Sequence, residues 1–361
     1  MKKVYVVSAV IVAVILLSAT FLLVFNPFGG SKQVLTIHCA TSLLFPLEQV
    51  EADFESAHPN VDVQIEGHGT IQVIRHVTEL HKEVDLMLVA DYVLIPRLMY
   101  QTKMPNTDEY FANYYVRFAT NSFVLAYTNQ SKYAGEITSE NWYSILTRQD
   151  VKLGMANPQL AAVGYNALIA IQLAEEYYGE PSLFHDLITA NYDPPINSIQ
   201  DGSNYTIFVP AVQNPKADKL ALRGSEVDLI ALLQSGFVDY CVVYLSNAKQ
   251  YGFNYIALPD EINMGSPAHE SSYERVEVVH EHQRFATVNL DRVGETIYYG
   301  LTIPKNAQHS ELAAEFAAFM LDGQGKTDFE AAYHPVFSPA FTDNPEALPA
   351  SLQSLTEKEP P

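Results

Sequence analysis

VLTIHCATSLLFPLEQVEADF, residues 34–54, carries the pattern from which the rest of the chain is read. Val34 to Ile37 is an apolar run of strand length, and Leu47, Val50 and Phe54 then recur at helical spacing, so the stretch predicts a strand feeding an amphipathic helix. Thr41 and Ser42, small and hydroxylated, stand between the two. Further along, Val61, Val63 and Ile65 alternate as a second strand, and Val73, Ile74, Val77 and Leu80 mark a second helix face. Asp85 to Ala90 reads as a third strand. Strand, helix, strand, helix in this order predicts a parallel sheet whose ligand loops gather at the strand ends.

Upstream, Lys2 and Lys3 precede an apolar run from Val4 to Phe25, the pattern of an export signal. The run is long enough to span a bilayer, so residues 1–33 are expected to be either an N-terminal anchor with its linker or a cleaved leader. The globular part then lies outside the cytoplasm, anchored to the cell membrane or secreted. Its length suits two lobes of about 150 residues each, with a cleft between them. Lobe I is expected over 34–118, lobe II over 119–298 and a return to lobe I over 299–345. Residues 346–361 are expected to be a loose tail.

A formal net charge of −21 excludes nucleic acid and anionic membrane surfaces as partners, because both are repelled at long range. The same field opposes an anionic ligand. An anion site here therefore has to rely on short-range backbone dipoles in a water-poor cleft, since salt screens the distant field within about 10 Å. No Gly-x-Ser-x-Gly, Gly-rich phosphate loop or His-Glu-x-x-His occurs, so no nucleophile has a base in evident reach and the chain is expected not to be an enzyme or to hold a cofactor. Cys39 and Cys241 read as two buried thiols, with a disulfide left open. His280-Glu281-His282 reads as a solvated polar segment, and His76 and His81, five apart, do not share a helix face well.

Four places put small or polar residues immediately before an expected helix: Thr41 and Ser42, Thr70, the loop from Ala161 to Gly164, and Ser225 with Glu226. A helix start exposes unpaired N–H groups and a partial positive charge, so several converging on one point bind an anion without Lys or Arg. Ordinary N-capping is the competing explanation for each, and Ser225 with Asp228 suits a capping box.

Several segments resemble the molybdate/tungstate-binding proteins of ABC importers, the archaeal type in particular. His38-Cys39-Ala40-Thr41-Ser42-Leu43 is similar to that family's His-Ala-Gly-Ser-Leu, with one extra residue. Gly69-Thr70 and Ile74-Arg75-His76-Val77-Thr78-Glu79-Leu80 resemble its Gly-Ser and Ile-Arg-Lys-Val-Thr-Glu-Leu. Ala90-Asp91-Tyr92-Val93-Leu94-Ile95, Asn157-Pro158, Gly164-Tyr165 and Gly300-Leu301-Thr302-Ile303-Pro304-Lys305-Asn306 recur in family order. The resemblance, spanning roughly 34–321, implies a two-lobed α/β receptor of the type II periplasmic-binding-protein fold, each lobe a mostly parallel sheet flanked by helices. It implies a monomer that captures a tetrahedral oxyanion, tungstate or molybdate, for an ABC permease with its ATPase. Ser42 and Thr70 then donate to oxyanion oxygens, Glu226 is the carboxylate that ligates the Mo or W centre, and Tyr244 contacts the anion. Thr41 belongs to the first loop.

One loop departs from that pattern. Asn157-Pro158-Gln159-Leu160-Ala161-Ala162-Val163-Gly164-Tyr165 has Ala161 where the family has its other metal-ligating carboxylate, so octahedral expansion from two acids is not expected here. A plain tetrahedral site with Glu226 as the sole acidic neighbour remains. Phosphate or sulfate as ligand, an anion-sensing ectodomain in place of a transport receptor, and a hydrolase or transferase on the same two-lobed scaffold remain open.

Overall fold

The computed structural model describes residues 32–281 and 291–359. The expected export segment lies almost wholly outside them, and among the described residues no helix is long and apolar enough to cross a membrane.

The opening stretch folds as β1 (Gln33–Ala40), a single 3-10 turn at Thr41–Leu43, and α1 (Leu44–Ala57). β2 (Val61–His68), α2 (Thr70–Thr78), β3 (Leu86–Val89) and β4 (Val116–Thr120) come next. β1 runs parallel to both β2 and β3. Leu35, Ile37 and Cys39 are fully buried on one face of β1, and His38 and Ala40 are buried on the other, so the end of the strand is covered on both faces. α1 buries Leu47, Val50 and Phe54, the three residues that set its periodicity, and the Phe54 ring meets Phe316 edge-on at 5.0 Å between centroids.

Only Asn121 and Ser122 separate β4 from β5 (Phe123–Tyr127), the first strand of a second sheet. That sheet adds β6 (Leu153–Ala156), then α3 (Ala162–Tyr178), β7 (Leu220–Arg223), α4 (Glu226–Gln234), β8 (Tyr240–Tyr244) and β9 (Asn254–Ala257). Its strand order is β7-β6-β8-β5-β9. Residues 162–174 of α3 are all buried, so this helix is covered around its circumference for more than three turns. A separate four-stranded sheet joins Asn197–Asp201, Asn204–Val209, Val276–His280 and Arg292–Val293.

The chain then returns as β10 (Tyr298–Thr302), α5 (Ser310–Leu321), β11 (Val336–Thr342) and β12 (Thr356–Lys358), completing the order β12-β11-β4-β10-β3-β1-β2. Both principal sheets are mixed. Parallel pairing belongs mainly to strand–helix–strand units, because a helical crossover brings the chain back to the same end of the sheet. β10 arrives from the other lobe and runs antiparallel to β3 and β4, and β5 pairs antiparallel with β8 and β9.

The chain end differs from the loose tail expected from residue 346. Ala350–Gln353 is a helical turn with Leu352 fully buried, and β12 closes the edge of the seven-stranded sheet beside β11. The terminal polar residues hid this, since an edge strand needs to bury little to hold backbone hydrogen bonds. Cys39 and Cys241 are both buried free thiols.

Candidate functional site

The loops that the sequence placed before helices meet between the two sheets. Thr41 and Ser42 form the turn after β1, Thr70 is the first residue of α2, Ala161 precedes α3, Glu226 opens α4 and Tyr244 ends β8. All six are buried. The Thr41 hydroxyl donates to the Glu226 carboxyl, a link between residues 185 apart in the chain. Ser42 Oγ accepts from the Tyr299 phenol at 3.3 Å, and Asn121 Nδ2 donates to the same phenol at 3.0 Å. The Tyr244 ring lies 6.1 Å from that of Tyr299, and the nearby Glu226 carboxyl adds to the upward pressure on both phenols that burial begins. Thr41, Ser42, Glu226, Tyr244 and Tyr299 therefore form one polar cluster inside an apolar surround.

Thr70 joins from the side. Its hydroxyl accepts from the Ala90 N–H at 3.1 Å, while the next residue, Ile71, donates its N–H to Leu160 O at 3.2 Å. The start of α2 thereby touches the loop that leads to α3. Gly69 permits the approach: a Cβ there would stand 2.3 Å from Leu160 O. Gly164 does the same for α3, since a Cβ at that position would come within 2.6 Å of Ala156 O. The Ala161 N–H is occupied by Asn157 O at 3.0 Å, so what Ala161 brings to the cluster is a small side chain at the mouth of α3.

Capping explains only one of the four helix starts. Ser225 Oγ accepts from the Asp228 N–H at 3.4 Å, as its spacing predicts. The 3-10 turn at Thr41 and α3 have no side-chain cap, whereas at α2 the Gln72 side chain accepts from the Gly69 N–H at 3.3 Å.

Burial holds the Glu226 carboxyl above its ordinary range, and the Thr41 hydrogen bond only partly opposes this. Burial thus favours the protonated form of this carboxyl, which can donate as well as accept. The Tyr244 hydroxyl is buried with no hydrogen-bond partner, a group with a donor to offer.

A second buried network lies beside the first, and its cation had no signal in the sequence. Arg292 clasps Asp91 through two hydrogen bonds, Nε to Oδ2 at 2.7 Å and Nη2 to Oδ1 at 3.0 Å, and Tyr165 also donates to Asp91. Asp91 comes just after β3, Tyr165 belongs to α3, and Arg292 lies on the path back toward β10, so the pair fastens three parts of the chain around the cleft. Asp91-Tyr92 and Gly164-Tyr165 stood out as family segments, but Arg292 lay in no recognisable pattern. The segment expected to be solvated at His280-Glu281-His282 is corrected in part: His280 is buried, with Nε2 3.1 Å from Pro158 O and its ring 5.9 Å from that of Tyr165. Pairing of Val276–His280 with Asn204–Val209 turns that side chain inward, while Glu281 is exposed and His282 lies outside the described residues.

Comparison with known proteins agrees with this architecture. A molybdate/tungstate-binding protein of Pyrococcus abyssi is 35% identical over 334 residues, 89% of this chain and 90% of its own. An uncharacterized solute-binding protein of Methanococcus maripaludis is 38% identical over 310 residues, 86% of this chain and 85% of its own. Among solved structures, the periplasmic molybdate-binding protein of Azotobacter vinelandii matches with a TM-score of 0.53 at 14% identity, covering 83% of this chain and 98% of that one. The sulfate-binding protein of Mycobacterium tuberculosis matches with a TM-score of 0.53 at 13% identity, covering 85% and 88%. These two show the shared two-lobed fold. Residues 35–332 match the family described as bacterial extracellular solute-binding protein, and the chain belongs to it.

Proposed function

We propose that this protein captures a tetrahedral oxyanion, tungstate or molybdate, outside the cytoplasm and delivers it to an ATP-driven permease. The observation that carries this is the buried cluster drawn from both lobes, in which Thr41 meets Glu226 and the hydroxyls of Ser42, Tyr244 and Tyr299 lie close by. Hydroxyl groups and uncapped helix starts supply donors for anion oxygens without a Lys or Arg, which suits a chain whose overall charge repels anions. Thr70 lies at the head of α2, where its buried hydroxyl completes the lobe I side. Glu226 is the anomaly, because an ionised carboxylate beside a dianion is repelled by several kcal/mol at low effective dielectric. Held protonated, it donates; ionised, it serves as an inner-sphere ligand to the Mo or W centre.

The named relative from Pyrococcus abyssi supports the choice of ligand, and lobe closure over the anion is the docking signal that such receptors use. The protein acts as a carrier and not as a catalyst, tethered or released according to the fate of its N-terminal segment. Isothermal titration with tungstate, molybdate, sulfate and phosphate tests the proposal. Sub-micromolar binding of tungstate or molybdate is expected, and absence of such binding to all four overturns anion capture. A second possibility, phosphate or sulfate as ligand, is favoured by Ala161, which removes the second acid that an expanded Mo or W coordination would use. Preference for hydrogen phosphate, lost in Glu226→Gln, would decide for it.

A further inference from the structure

We propose that His38, Glu66 and His76, with His68 beside them, form a binding site for a transition-metal dication of the zinc class. The site lies on the lobe I sheet beneath α2 and is separate from the oxyanion cluster. The parallel register of β1 and β2 sets His38 beside Glu66 and Ala40 beside His68. Glu66 and His68, two apart on a strand, project from one face. α2 brings His76 to the same place, with its ring 5.5 Å from that of His38 and 4.4 Å from that of His68. Among the described residues, one donor atom each from His38, Glu66 and His76 lies within 4.8 Å of the others.

The contacts inside the group are those of ligands in want of a cation. His38 Nε2 and His68 Nε2 stand 3.2 Å and 3.4 Å from the same Glu66 oxygen, so two imidazoles crowd one acceptor. The Nδ1 atoms of His38 and His76 are buried without hydrogen-bond partners. Tetrahedral ligands around zinc lie about 3.4 Å apart, given bonds near 2.1 Å, so side-chain rotation of roughly 1 Å closes the set. Two imidazoles and one carboxylate, with a third imidazole beside them, suit zinc, cobalt or nickel better than calcium or magnesium, which prefer oxygen. Among the described residues, Lys82 pairs with this carboxylate, its ammonium 3.3 Å from Glu66; its side chain is 42% exposed and can turn to solvent when a metal takes the carboxylate.

Such a metal would clamp β1, β2 and α2 just upstream of Ser42 and at the helix that Thr70 begins, yet its binding does not depend on what the cleft captures. The test is calorimetric titration of untagged, chelator-stripped full chain with zinc alone, repeated with cobalt while its visible absorption is followed. One equivalent is expected to bind with a dissociation constant in the micromolar range or below, with the intense absorption of tetrahedral cobalt. Loss of even an outer-sphere partner weakens metal sites by about 10–100-fold, so His76→Ala and Glu66→Gln should each weaken binding by at least about tenfold. His309→Ala, at another half-buried histidine, should leave it unchanged, and circular dichroism of each variant checks the fold. No stoichiometric binding by the parent chain, or binding unaltered by both His76→Ala and Glu66→Gln, overturns the site. Neither result bears on oxyanion capture, which is read with tungstate in chelator.

Discussion

The Thr41 hydroxyl and the Glu226 carboxyl are joined by a buried hydrogen bond that spans the two lobes. Because burial raises the Glu226 carboxyl above its ordinary 4.5, the folded chain holds a proton that the unfolded chain releases. The stability linked to that proton is fully present below about pH 4.5 and is lost as pH rises through the folded value. The parent protein is therefore expected to lose thermal stability as pH rises above about 5, and Glu226→Gln to flatten that loss. Melting curves of both proteins from pH 4 to 8 check it; parallel curves would show that Glu226 is already ionised.

Anion affinity should track the same proton. If a dianion binds next to a Glu226 that must be protonated, each complex takes up one proton and affinity falls by up to about tenfold per pH unit above the carboxyl's own value. Titrations with tungstate at pH 5, 6, 7 and 8 measure the slope. Glu226→Gln should abolish it.

Tyr244→Phe separates binding from folding. The Tyr244 hydroxyl is buried without a partner, and an unsatisfied buried donor costs about 1–3 kcal/mol. The substitution is expected to leave stability unchanged or raise it by about 1 kcal/mol, while anion affinity falls by roughly tenfold, the value of one lost charge-assisted hydrogen bond. Denaturant unfolding and calorimetry together read the two effects, and lower stability with unchanged affinity would remove Tyr244 from the site.

Ala161→Asp restores an acid at the head of α3, where no side chain caps the helix. An N-cap carboxylate stabilises a helix start by about 0.5–2 kcal/mol, but a second acid near Glu226 repels any ligand that offers only oxygens. The substitution is expected to shift selectivity toward tungstate and molybdate over sulfate and phosphate by at least about tenfold, since only the first two offer a metal centre to a carboxylate. Competition titrations give the ranking. An unchanged ranking would mean that Ala161 is not what sets selectivity.

Asp91→Ala leaves the buried Arg292 without its bidentate partner. Removing one member of a buried ion pair costs about 3–5 kcal/mol, because the remaining charge stays desolvated. Glu295 also pairs with Arg292, so a drop in unfolding free energy at the low end of that range is expected, read by denaturant unfolding.

How far the site was legible depended on whether its parts lay close in sequence. Thr41, Ser42, Thr70 and Ser225 were visible because a helix start leaves a local mark, and Ser225 does cap its helix. Glu226 was marked as part of a helix start, but its role toward the anion, and Tyr244 altogether, came from the family resemblance. Tyr299 and Asn121 were missed, since a Tyr in a strand and an Asn in a connection look like any others until β10 and the β4–β5 link are brought together. Spacing likewise set His76 against His81, whereas the fold sets it against His38 and His68 from two strands.

The sequence by itself determined the alternation of strands and helices, the apolar faces that make them pack, the return of the chain to its first sheet and the family. These come from periodicity and order along the chain, which short windows record. Only the tertiary structure decided the mixed direction of the sheets, the ordered chain end, the Asp91–Arg292–Tyr165 lock and the pairing of Thr41 with Glu226. Each of those depends on which distant segments become neighbours. Burial then sets the chemistry: the same Glu226 carboxyl that an extended chain would ionise is, between two lobes, held toward its protonated form.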